Sequence, residues 1–388
     1  MAKVFCIFSA HYLPKIGGVE RYTYNLAKHL VKRGYKVIVV TSNVFNLKDY
    51  EESEGIAVYR LPCFNMLKGR FPVLKPNIKF FSMNKRLREE KIDNVIINTK
   101  FYIHSLYGAW FAKKKQVKGI LIEHVSSHLT IHNKFFDYLG GVFEHLLTVL
   151  IKLKVKDFYG VSAYVNDWLA HFCIKSKGIV TNAVDLEEIN SIIENSAINF
   201  AKTYNLPKDV TIIAFAGRLL KEKGILELVA AAEILSDAGE KFCLFIAGDG
   251  DLYDYLADLN LENIVLLGSL DFTKVISLFS QADIFCLPSY GEGFSSVLIE
   301  AAACEAYCIT ADVGIARELV LDDSYGTILE KITPREIAKE ITNAIRNPHV
   351  RYAAAKKCCE RVKQRFCWTI ACDEVINIFE ANKKIQVK

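Results

Sequence analysis

One pattern governs what this chain can become: a short apolar strand, a glycine-bearing loop, an amphipathic helix and a β-branched strand, found at the start and begun again near residue 210. In the first copy, Val4 to Ser9 is an apolar run closing in small residues, and the loop His11 to Val19 holds Pro14, Gly17 and Gly18. Tyr22, Leu26, Leu30 and Val31 then recur at helical spacing up to Gly34, and Lys36 to Thr41 supplies VIVV, suited to a strand covered on both faces. In the second copy, Val210 to Ala216 reads as a strand, Arg218 to Gly224 as a polar loop and Leu226 to Leu235 as a helix. Phe242 to Ala247 is the next strand, closed by Gly248, Asp249 and Gly250. Strands alternating with helices build doubly wound parallel sheets, so the chain is expected to be α/β with two Rossmann-like domains. The boundary is expected near Asn182 to Asp185, and the last helix, Trp368 to Lys383, is expected to return to the first domain. Residues 1–182 plus about 366–388 would then form one domain and 183–365 the other.

Composition agrees with two full cores: 51% of the residues are apolar and 24% charged, which leaves no room for dominant disorder. The most membrane-like stretch, Tyr138 to Val155, is interrupted by Glu144, His145, Lys152 and Lys154, so no spanning helix is expected. Met1 to Ala10 runs into a strand rather than a secretory leader, and the eleven cysteines are scattered with no CxxC pair. Free thiols in a reducing, cytoplasmic setting are the expectation. The net charge is uneven. Residues 1–182 carry 28 Lys/Arg against 13 Asp/Glu (+15), and residues 183–388 carry 21 against 31 (−10). A basic first half points to an anionic partner there. Nucleic acid is disfavoured, because the acidic half would repel phosphate and no nucleic-acid motif is present.

Three segments carry candidate chemistry. Glu292-Gly-Phe-Ser-Ser-Val-Leu-Ile-Glu300 follows the strand IFCLPS and opens an alanine-rich helix. Glycines permit close approach at such a turn, and the helix's first amides, around Ser296 and Val297, attract an anion. A carboxylate at Glu300 can accept from adjacent ribose hydroxyls; two surface glutamates flanking an ordinary helix is the plainer alternative. Gly217-Arg-Leu-Leu-Lys-Glu-Lys223-Gly places Arg218 and Lys223 after a strand, where they could stabilise a departing diphosphate or simply face solvent. Lys15-Ile-Gly17-Gly18-Val-Glu20-Arg sets two glycines before a helix, for a ligand's close approach or for a helix-entry turn. His124 sits past a strand's carboxyl end, where open α/β sheets place ligand contacts. His128 and His132 follow it at intervals of four, a weak metal signal with no acidic ligand suitably spaced, and no metal is expected.

In order and spacing, these segments resemble the retaining glycosyltransferases of family 4, which have the GT-B fold of two Rossmann-like domains facing across a cleft, with the C-terminal helix packing back on the N-terminal domain. The resemblance spans nearly the whole chain: GGVERY, GVSAYVNDWL at 160–169, VTNAVD at 180–185, GRLLKEKG, AGDG at 247–250, DIFCLPS, Glu-x7-Glu and DVGIARELV at 312–320. It implies that Arg218 and Lys223 grip a donor diphosphate, Glu300 holds the ribose and Glu292 contacts the transferred sugar. The amides of Ser296 and Val297 would cradle phosphate, Gly17 and Gly18 would close on the donor, His124 would touch the sugar and Glu20 would lie toward the acceptor. Ala183 stands where the family usually has Gly, and Gly314-Ile-Ala-Arg-Glu replaces Gly-Gly-Ile-Pro-Glu. Cys304-Glu305 likewise stands where Met and a small residue are common. These departures spare the donor grip and weaken any reading of which sugar is held.

The resemblance implies transfer of a hexose-type sugar from a nucleotide-diphosphate donor with retention, Arg218, Lys223 and helix amides replacing a divalent ion. The alternatives are an epimerase of the same architecture and a non-catalytic nucleotide-sugar-binding adaptor. The basic half suggests a lipid-linked or saccharide acceptor at an anionic membrane face, as in surface-polysaccharide or glycolipid assembly. Lys113, Lys114, Lys115 and Lys118 follow Trp110 and Phe111, Phe80 and Phe81 precede Lys85, Arg86 and Arg88, and Phe143 to Val155 is apolar with interleaved lysines.

Overall fold

The computed structural model describes residues 2–381 apart from 16, 129, 131, 132 and 260. It divides into two compact units, one of Met1–Asn182 with Trp368–Lys388 and one of Ala183–Cys367.

The first unit runs β1 (Val4–Phe8), α1 (Gly18–Lys32), β2 (Lys36–Ser42), β3 (Tyr50–Ser53), β4 (Ile56–Leu61), β5 (Cys63–Met66), β6 (Phe71–Leu74) and α2 (Ile78–Glu89). It continues with β7 (Asn94–Asn98), α3 (Ile103–Lys115), β8 (Lys118–Glu123), α4 (Lys134–Lys152), β9 (Asp157–Gly160) and α5 (Ala163–His171). Its main sheet has the order β3-β4-β2-β1-β7-β8-β9, with β3 alone antiparallel. Alternation along β1 feeds both faces. Phe5 meets Phe379 edge-on at 5.4 Å, whereas Phe8 turns to Phe111 of α3, also at 5.4 Å. Strand order reverses between β1 and β7, the place where such sheets open a crevice at their carboxyl ends.

The second unit runs α6 (Leu186–Asn195), α7 (Phe200–Thr203), β10 (Thr211–Ala216), α8 (Ile225–Asp237), β11 (Phe242–Ala247), α9 (Tyr253–Asp258), β12 (Ile264–Gly268) and α10 (Phe272–Phe279). Then come β13 (Ile284–Leu287), α11 (Ser296–Ala303), β14 (Tyr307–Ala311), α12 (Ala316–Leu319), β15 (Thr327–Leu329), α13 (Pro334–Arg346) and α14 (Pro348–Arg365). Its six strands are parallel in the order β12-β11-β10-β13-β14-β15, reversing between β10 and β13. Every residue of β10, TIIAFA, is buried, as a strand covered on both faces requires. After this unit the chain returns to the first one as α15 (Trp368–Glu380), whose Trp368 is buried against Tyr22 of α1.

Two readings change. The segment Arg218 to Gly224 is not all loop, since Lys221–Lys223 form a 3-10 turn. The basic-aromatic patches of the first unit are partly consumed internally. Phe111 and Phe80 are buried, Lys115 donates to the carbonyls of Arg88 and Glu90, Arg86 stacks on Tyr50 and Arg88 on Trp110. All eleven cysteines are free thiols. Among the described residues, no helix is long and apolar enough to cross a membrane.

Candidate functional site

The second unit assembles its site at the β10/β13 reversal. The loop after β10 is clamped by its neighbours: Leu219 N–H donates to Asp249 O (2.9 Å), Leu252 N–H to Leu219 O (3.1 Å) and Tyr290 N–H to Glu222 O (2.9 Å). Glycine is required at two of these contacts. A Cβ at Gly248, whose φ is +148°, would lie 1.8 Å from Gly217 O, and one at Gly224 would lie 2.0 Å from Pro288 O. The loop backbone is thereby fixed, and Lys223 meets Glu292 at 2.7 Å, both side chains largely buried. Glu292 Oε1 also accepts from Ser289 Oγ at 2.8 Å.

Arg218 is exposed on the same loop and makes no ion pair among the described residues. Helix α11 starts from Ser295, a non-glycine residue at φ +74°, whose buried hydroxyl neither caps the helix nor finds another partner among the described residues. Backbone strain of this sort concentrates at functional turns. Ser296 and Val297 form the half-buried first turn, and Glu300 lies one turn deeper, 4% exposed. The loop after β14 braces the assembly, since Ile315 N–H donates to Phe294 O and a Cβ at Gly314 would stand 2.7 Å from that oxygen. Arg218, Lys223, Glu292, Ser296, Val297 and Glu300 thus belong to the loops and helix start at one carboxyl edge. Asp249 and Asp251 form an Asp-x-Asp pair passed over in the sequence. Asp249 Oδ1 accepts from Gly250 N–H, and both side chains are exposed.

In the first unit, Gly17 precedes α1 and Gly18 begins it. A Cβ at Gly17 would lie 2.4 Å from Glu20 Oε2, whereas one at Gly18 would meet nothing within 4 Å. Glu20 is buried, which raises its carboxyl above the ordinary value, and Lys15 stands 3.8 Å away and partly offsets this. His124 follows β8. Its Nε2 faces Asn98 Oδ1 at 3.2 Å, while Asn98 Nδ2 donates to Thr23 Oγ1 at 2.8 Å, and its ring sits edge-on to Tyr22. Burial lowers its pKa to about 3, so it is a neutral imidazole and not a proton donor at neutral pH.

The sequence reading missed a buried ionic cluster beside it. Lys100, just past β7, lies 2.5 Å from Glu144 and 3.4 Å from Glu123, and none of the three is more than 3% exposed. Glu123 Oε1 also accepts the amides of His124 and Val125, and burial raises this carboxyl's pKa. Charged residues at the carboxyl ends of two buried strands were the available signal.

The weak histidine signal resolves differently from its spacing. His132 lies outside the described residues. His128 clusters with His145 and His171 rather than with His124.

The family profile described as "Glycosyl transferases group 1" matches residues 197–365, and that described as "Glycosyltransferase Family 4" matches residues 16–188. An uncharacterised glycosyltransferase of Methanocaldococcus jannaschii is 30% identical over 387 residues, covering 96% of this chain and 97% of the relative. The chain belongs to the family 4 glycosyltransferases. This glycosyltransferase is also 25% identical over 385 residues to the phosphatidylinositol N-acetylglucosaminyltransferase gpi3 subunit of Schizosaccharomyces pombe, covering 96% of this chain and 79% of that one. Its fold is shared by Anabaena HepE, solved in complex with UDP and glucose, at a TM-score of 0.72 and 16% identity, covering 98% of this chain and all of the other. The glycosyltransferase therefore has the GT-B fold, with a mainly parallel sheet in the first domain and a parallel one in the second.

Proposed function

We propose that this glycosyltransferase transfers a hexose-type sugar, with retention, from a nucleoside-diphosphate donor to a lipid-linked saccharide at the cytoplasmic face of a membrane. The observation that carries the donor half is the Lys223–Glu292 contact at the strand-order reversal, next to the uncapped start of α11. A donor diphosphate there meets the Lys223 ammonium, the Arg218 fork and helix amides, all suited to charge that grows as the sugar departs. These groups supply the compensation a divalent ion otherwise would. Glu300, buried one turn along α11, accepts from the ribose hydroxyls. Gly17 and Gly18 allow the donor's close approach, neutral His124 offers its remaining ring nitrogen to the sugar, and Glu20 serves the acceptor side. HepE binds UDP and glucose, which supports a uridine nucleotide.

Retention is assigned to a front-side displacement, in which the departing phosphate oxygen takes the acceptor's proton. Glu292 supports this choice. A carboxylate already accepting from Lys223 and Ser289 is a poor covalent nucleophile and a good fixed contact for the sugar.

The acceptor half rests on α4. Phe135, Leu139, Val142, Leu146, Val149 and Leu153 recur at helical spacing and are all exposed. Lys134 and Lys152 lie at the helix ends, in a unit of strongly positive charge. An apolar face framed by lysines suits an anionic leaflet. The gpi3 relative is named for a lipid acceptor, which agrees. The test is a thermal-shift panel of UDP-, GDP- and ADP-sugars, followed by transfer to a lipid extract and NMR of the new anomeric centre. Stabilisation by none of the nucleotide sugars would remove the donor assignment, and an inverted product would remove the mechanism.

A further inference from the structure

His128, His145 and His171 come from three different elements: the segment after β8, the middle of α4 and the last residue of α5. One ring nitrogen of each lies within 4.8 Å of the other two. His145 Nε2 and His171 Nε2 are 3.2 Å apart. Two imidazole nitrogens on one tetrahedral zinc, each about 2.0–2.1 Å from it, stand about 3.3 Å from each other. The pair already has the spacing of two ligands.

The surroundings have the form that a metal site needs. His128 Nδ1 lies 2.7 Å from Glu144 Oε2, which fixes the tautomer and leaves Nε2 as the nitrogen that can ligate. Glu144 is itself held, its other oxygen 2.5 Å from Lys100 Nζ. Trp168 stacks on His171 with ring planes 4° apart, and Phe172 packs on His145 at 4.5 Å, so both rings are braced. A carboxylate behind one ligand and aromatic walls behind the others are more than a chance meeting of surface histidines requires. His145 and His171 are exposed, so solvent reaches the remaining coordination position.

We propose that His128, His145 and His171 form a three-histidine site for a borderline transition ion of the zinc class, closed by water, that ties the segment after β8 to α4 and α5. Imidazole ligands select Zn(II), Co(II), Ni(II) or Cu(II) over Mg(II) or Ca(II). The ion's place is in the first unit, where its work is to hold α4 in position against α5 and the segment after β8. No regular spacing in the sequence joins His128 to His145 and His171; the fold brings these three together.

The experiment uses the untagged full chain, stripped with chelator, and titrates Zn(II) by calorimetry and Co(II) by visible absorption. One ion per chain is expected, with Co(II) bands of tetrahedral nitrogen and oxygen ligation and a raised melting midpoint. His145→Ala and His171→Ala should each weaken binding at least tenfold. Both side chains are exposed, so folding is kept, which circular dichroism checks. Cys173 is exposed two residues from His171, so Cys173→Ser is the control and should bind as the parent does. No uptake, unchanged binding in both histidine variants, or thiolate charge-transfer bands lost with Cys173 would each overturn the site. The titration needs no donor or acceptor, so its outcome is independent of the proposed reaction.

Discussion

Lys223 and Glu292, 69 residues apart in the chain, hold each other at 2.7 Å where the second sheet reverses its strand order. The loop that carries Lys223 cannot shift freely, because Gly224 packs its α-carbon against the Pro288 carbonyl and Tyr290 N–H bonds Glu222 O. A cation and a carboxylate are thereby presented together at a rigid edge.

Lys223→Ala should lower kcat by on the order of a hundredfold, the loss of roughly 3 kcal/mol of transition-state stabilisation. The melting midpoint should also fall, because the largely buried Glu292 carboxylate loses its cation and keeps only the Ser289 hydroxyl. Initial-rate kinetics at saturating donor read the effect, and unaltered turnover would strip Lys223 of this role.

Glu300→Gln should act on donor affinity. Replacing a buried charged acceptor with an amide weakens hydrogen bonds worth about 1.5–3 kcal/mol, so the donor dissociation constant should rise by roughly 10–100-fold. A nucleotide lacking both ribose hydroxyls should bind parent and variant alike. If the variant discriminates against that nucleotide as strongly as the parent does, Glu300 does not hold the ribose.

Much of the fold was readable because period and punctuation agree. The runs VIVV and TIIAFA suit doubly covered strands, and Gly217 directly after the second marks a turn. Glu292 to Glu300 was visible because a strand, a glycine turn and an alanine-rich helix adjoin in sequence. What the sequence hid is what distant loops bring together. Nothing local pairs Lys100 with Glu144, 44 residues on, or joins His128 to His145 and His171. The basic patches were legible only as charge, because the stacking of Arg86 on Tyr50 depends on neighbouring elements.

Gly17 and Gly18 should separate on substitution. Gly18→Ala has open space and a helical position, so stability should hold or rise by up to about 1 kcal/mol, while donor KM rises if a ligand approaches there. Gly17→Ala must displace the Glu20 carboxylate and should be destabilising. Urea midpoints and donor KM distinguish the two, and an unchanged KM for Gly18→Ala would deny a close approach.

Acid should unfold the first unit before simple carboxylate protonation accounts for it. Burial holds His104 at about 4, and burial with the nearby Lys15 charge holds His11 at about 4. Both values lie below the unfolded value near 6.5, so the unfolded chain takes up protons first. Their stabilisation is complete above that value and drains as pH falls toward 4, at roughly 3 kcal/mol per pH unit for the two together. All three tryptophans, Trp110, Trp168 and Trp368, lie in this unit, so their fluorescence reports it. A urea midpoint flat from pH 6.5 to 4.5 would contradict the assignment.

Membrane binding should fail when the α4 face is made polar. Phe135, Leu146 and Leu153 are 66%, 64% and 60% exposed, so changing all three to Ser removes no core packing and should leave the melting midpoint in place. Each apolar side chain sunk into the acyl boundary contributes about 1 kcal/mol or more, so the triple variant should bind anionic vesicles roughly a hundredfold more weakly. The lysines contribute separately. Raising salt should weaken the parent on anionic vesicles and have little effect on neutral ones, because the electrostatic part is screened and the apolar part is not. Donor hydrolysis without acceptor should survive the triple change, since Phe135, Leu146 and Leu153 are exposed and none of them is among the residues assigned to the donor. Equal sedimentation of parent and variant with anionic vesicles would mean that α4 does not meet the bilayer.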